Sequence, residues 1–118
     1  MSGWSDDLVD RLRSIQDEVT GIQSALGGGH LARGTDSANQ LVAMATELLE
    51  DLDRDRSRDH NHDAELIAAL RVYRNAAFAF RKLAGAGGES EEALRLACTA
   101  MIEQGHDHSR AYRGRPPL

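Results

Sequence analysis

The first 26 residues place apolar side chains at Leu8, Leu12, Ile15, Val19, Ile22 and Leu26. The steps alternate between four and three, the spacing of a helix whose one seam packs lengthwise against other helices. A period of two, as a half-buried strand requires, is absent from this stretch and has no long run elsewhere. The chain therefore reads as all-α, and each further segment must supply a matching greasy stripe.

Three more helix-length segments do so. The second is expected over 38–57, after a capping box of Ser37 and Gln40, with Leu41, Met44, Ala45, Leu48, Leu49 and Leu52 on one arc. The third is expected over 63–84 and the fourth over 90–104, with Gly105 as its stop. Ser5 serves as N-cap of the first, with Trp4 and Val9 as its hydrophobic staple. Gly21 is a weak point inside that helix, costing roughly 1 kcal/mol against alanine. Short connections make sequential helices antiparallel neighbours, so the expected fold is a four-helix up-down bundle with a short, flexible C-terminal tail. Residues 1–108 form the helical domain, and 109–118 form a basic tail ending in Pro116-Pro117-Leu118. Helical hairpins completed by a second copy are the alternative.

Composition sets the outer limits. A chain of 118 residues has room for one domain and one core. A net charge of −5 argues against whole-body binding to nucleic acid or anionic lipid. No run approaches the roughly 20 apolar residues of a spanning helix, and the acidic, amphipathic start does not resemble a signal peptide. With Cys98 as its single cysteine the chain forms no internal disulfide, which fits a reducing cytoplasm. Lys82 is the one lysine among 14 basic residues, a usage expected of a GC-rich bacterial genome.

The third segment carries a face that packing alone does not account for. Its apolar arc includes Leu66, Leu70, Tyr73, Phe80 and Leu83. Opposite lie Arg71, Arg74, Arg81 and Lys82, with Phe78 in their midst and Ile67 on the same line. An aromatic ringed by arginines suits a protein interface, since both residue types are enriched there. Phe78, Arg71, Arg74, Arg81 and Ile67 are thus the candidate contact residues. The leading expectation is a non-enzymatic interaction protein that binds itself or another protein.

Two other constellations compete. His60, His62, His106 and His108 follow the second and fourth segments, so an up-down bundle brings them to one end. Imidazoles beside Asp59, Asp63 and Asp107 would suit a divalent transition metal, making metal binding or sensing the second expectation. The Arg113-Gly114-Arg115-Pro116 run looks like the core of an AT-hook. That resemblance implies that Arg113 and Arg115 lie along a narrow A·T minor groove, and makes weak DNA binding the third expectation. Glu47-x-x-Glu50 with a later Glu65 resembles the acidic pattern of MazG-type nucleoside-triphosphate pyrophosphohydrolases. Their following aspartate is replaced here by Ala68. No nucleophile has a recognisable partner set, so no catalytic residue is assigned.

Overall fold

The computed structural model describes residues 6–28, 31–85 and 90–114. They form α1 (Asp6–Gly28), α2 (Leu31–Arg54), α3 (Ala64–Gly85) and α4 (Ser90–Arg113), and no strand is found among them. The helices run alternately up and down in a bundle of 52 × 21 × 21 Å. Cross-helix bonds follow that alternation. Arg11 near the start of α1 pairs with Asp51 near the end of α2, and Glu65 at the start of α3 meets His108 near the end of α4.

The period in the sequence becomes the core. Ile15, Val19 and Ile22 of α1, Leu41, Leu48 and Leu52 of α2, and Leu66, Leu70, Phe80 and Leu83 of α3 are buried together. Cys98 and Ile102 complete the layer from α4. Leu12, Leu94 and Met101 are half-buried, packed against this core rather than within it.

Packing around the bundle is uneven. Each helix packs along its sequence neighbour, but α1 and α4 scarcely approach one another. Their seam is bridged by side chains: Gln16 reaches Ser109 at 3.5 Å, and Arg95 donates to the carbonyl of Leu26. A groove lined by Val9, Leu12, Arg13, Gln16, Ser109 and Arg113 remains between them.

Three helix boundaries differ from expectation. α2 begins at Leu31, so Ser37 lies inside the helix and caps nothing; its hydroxyl occupies the space beside Gly21. α2 also ends at Arg54 rather than 57. α4 continues through Gly105 to Arg113 and buries Tyr112, so residues 109–113 of the expected tail are helical. Gly105 does not stop the helix because its bare Cα lies against the Tyr73 ring, where a Cβ would collide. Ser5 and Trp4, expected to cap and staple α1, lie outside the described residues.

Candidate protein interface

The outer surface of α2 and α3 forms one continuous face. Its floor is apolar: Leu49 and Val42 of α2 and Ile67 of α3 are half-buried against the core. Phe78 stands above that floor, 42% exposed, with the Arg81 guanidinium 5.9 Å from its ring centroid. A cation within about 6 Å of an aromatic face is attracted to it. Lower on the same face, Ile67, Arg71 and Arg74 share a shallow cleft with Thr46, Leu49, Glu50, Asp53 and His60.

The lower part of the face is joined across one cleft, where Arg71 and Arg74 lie beside Leu49, Glu50 and Asp53 and Arg74 donates to Thr46 at 3.4 Å. Higher up, Gly34 lies against the Phe80 ring, so Phe78 is level with the first half of α2. Acids therefore flank the lower part of the face along α2, and arginines flank it along α3. Among the described residues no ion pair joins Arg71, Arg74 or Arg81 to any carboxylate. All five residues singled out on the third segment thus fall on one surface. The sequence reading sets Leu49 on the core arc and does not join α2 to this surface, although Val42, Glu50 and Asp53 recur at helical spacing beside that arc.

The end of the bundle gathers the histidines but separates their rings. His106 Nδ1 lies 2.7 Å from the Tyr73 hydroxyl, which itself accepts a bond from Gln16 at 3.0 Å. The Tyr73 hydroxyl thus joins Gln16 of α1 to the His106 imidazole of α4. Burial, and then the nearby Arg110 and Arg113 charges, hold its pKa below the usual histidine value. His108 donates to Glu65 at 2.6 Å. His62 packs edge-on against Tyr112, with ring centroids 5.8 Å apart, and His60 is exposed in the α2/α3 cleft. Among the described residues, no three histidine, cysteine, aspartate or glutamate side chains converge as a metal would need. The four histidines sit at one end, yet each faces a different neighbour.

What organises this end is a carboxylate that the sequence offers only as a companion of the histidines. Asp63, 1% exposed, accepts from Arg58 at 2.7 and 2.9 Å and from the Tyr112 hydroxyl at 3.1 Å. Its backbone carbonyl accepts from Ile67, so the same residue starts α3. Burial and the adjacent carboxylate push the Tyr112 phenol up to about 12, and the carboxylate raises the Arg58 pKa. The network ties the α2–α3 connection to the last turn of α4. In the sequence its signal is scattered over three segments, so no local pattern reveals it.

The remaining candidates are dispersed. Glu47 and Glu50 line different clefts, and Glu65 is engaged by His108. Arg113 belongs to the last turn of α4 and lines the α1/α4 groove, while Arg115 lies outside the described residues. Cys98 is buried with its thiol bonded to the Ala76 carbonyl, and burial lifts its pKa to about 11. A thiol so placed is a poor nucleophile. Compared with family models, with curated proteins and with solved structures, the chain has no match.

Proposed function

We propose that this chain is a non-enzymatic helical interaction protein that binds a protein, itself or another, through the α2/α3 face. The observation that carries the reading is Phe78, a large apolar ring 42% exposed amid arginines that pair with no carboxylate among the described residues. Exposed Val9 shares the α1/α4 groove with Leu12, Arg13 and Arg113 but offers no aromatic anchor, and single exposed apolar residues such as Leu96 are common. Phe78 differs because an apolar floor, an aromatic anchor and a polar rim coincide, the anatomy of a protein interface.

The test is site-specific photo-crosslinking in cells. A photoreactive phenylalanine analogue at position 78 is expected to form a discrete protein adduct that Arg71→Glu weakens. The same analogue at Glu47, on the other side of α2, is expected to give none. Equal labelling at the two positions, or no adduct at 78, would overturn the reading.

A further inference from the structure

Resting on that reading, we propose that the occupant of the α2/α3 face is a second copy of this chain, docked about a two-fold axis parallel to the helices. The argument is charge complementarity at fixed height. The face has an acidic rail, Glu50 and Asp53 on α2, and a basic rail, Arg71 and Arg74 on α3, facing one cleft without an ion pair between them.

A two-fold axis along the bundle exchanges the rails while preserving height. It lays α3 of one protomer over α2 of its partner, antiparallel. Arg71 and Arg74 of one copy then come level with Glu50 and Asp53 of the other. Phe78 comes level with the first half of the opposing α2, which carries the half-buried Val42. Each contact occurs twice, as an isologous interface requires. The other two-fold, perpendicular to the helices, would set α3 on α3 and bring arginines against arginines, which opposes association.

Size is compatible with a modest dimer. Two helices of at least 22 residues are about 33 Å long. Side by side they offer on the order of 600 Å² per copy, near the lower limit for a specific interface. An association in the micromolar range is expected.

Multi-angle light scattering of the full chain over a dilution series from about 100 µM, well above a low-micromolar Kd, is the test. The wild type is expected to be dimeric and Phe78→Glu monomeric. The acidic-rail variant Glu50→Arg/Asp53→Arg and the basic-rail variant Arg71→Glu/Arg74→Glu are each expected to weaken dimerisation at least tenfold. Mixing the two variants is expected to restore a heterodimer, because both sets of rails are complementary again. Far-UV circular dichroism checks that each variant is folded. Should Arg74→Glu unfold the chain, Arg71→Glu mixed with Glu50→Arg makes the same comparison.

A monomeric wild type overturns the second-copy assignment alone, since crosslinking at position 78 judges the interaction reading separately. Weakening by each variant without rescue on mixing overturns the proposed axis. A dimer indifferent to Phe78→Glu and to both rail variants uses another surface, and overturns the assignment together with the choice of face.

Discussion

At the scale of single residues, the side chains that matter most for stability are the least conspicuous in the sequence. Surface pairs such as Arg54–Asp51 are exposed to water, and such pairs contribute roughly 0–1 kcal/mol. Asp63 is different, because its carboxylate is withdrawn from water and relies on Arg58 and Tyr112 for every bond described above. The phenol offers a direct test. Its pKa, raised to about 12 in the folded chain, exceeds the 10.0 of an ordinary tyrosine. A raised folded-state pKa stabilises the fold fully below the unfolded value and is lost as pH climbs through the folded value, here between pH 10 and about 12. A separation near two units corresponds to roughly 2–3 kcal/mol. Urea titrations followed by circular dichroism should therefore show wild-type stability falling through that window. Tyr112→Phe should be less stable by roughly 1–2 kcal/mol near pH 8, having lost the hydrogen bond to Asp63. Its decline in alkali should be shallower. Parallel pH profiles for the two proteins would refute the role assigned to this hydroxyl.

At the scale of helices, glycine is where the reading of the sequence and the fold diverge. The apolar period identified four helices and their inward faces, since burial enforces a repeat that any segment must display. Helix ends were less legible, because a glycine in the sequence has two physical meanings. Gly27, expected to end α1, is instead part of it, and a Cβ there would meet nothing within 4 Å. Gly34 resembles a loop residue in the sequence but lies buried in α2, where a Cβ would come within 2.8 Å of both Ala25 and the Phe80 ring. Only a packed neighbour separates the two cases, and the local sequence does not name it. Opposite responses to one substitution follow. Gly27→Ala should be neutral or gain up to about 1 kcal/mol from helix propensity. Gly34→Ala gains the same propensity but forces the Phe80 ring aside, an overpacking cost of about 1–3 kcal/mol, so a net loss is expected. Thermal melts should separate the variants by about 4 °C or more, with Gly34→Ala the lower. A Gly34→Ala protein as stable as Gly27→Ala would remove the close contact from the account of the fold.

At the scale of the whole molecule, the bundle is lopsided, and that bears on both its interface and its motions. α3 is the central element: it packs on α2 and on α4, presents the Phe78 face, and begins at the Asp63 network. The five α3 residues of that face were legible because one helix carries all of them. Their acidic counterparts were not, because only the packing of α2 on α3 brings Glu50 and Asp53 into the cleft with Arg71 and Arg74. α1 is the peripheral element, packed well on α2 alone and separated from α4 by the groove that Leu12 lines. Local opening free energies follow the density of buried contacts, so the bundle should open first at α1. Native-state hydrogen exchange is expected to give α1 amides lower protection than the central amides of α3. Leu12→Ala should cost about 1 kcal/mol, because the side chain already borders the groove and leaves little enclosed void. Leu48→Ala, 2% exposed in the wild type, should cost about 3 kcal/mol. If α1 and α3 exchanged at equal rates, and the two leucine truncations cost the same, the α1/α4 seam would be closed in solution and the helices would pack as a symmetric ring.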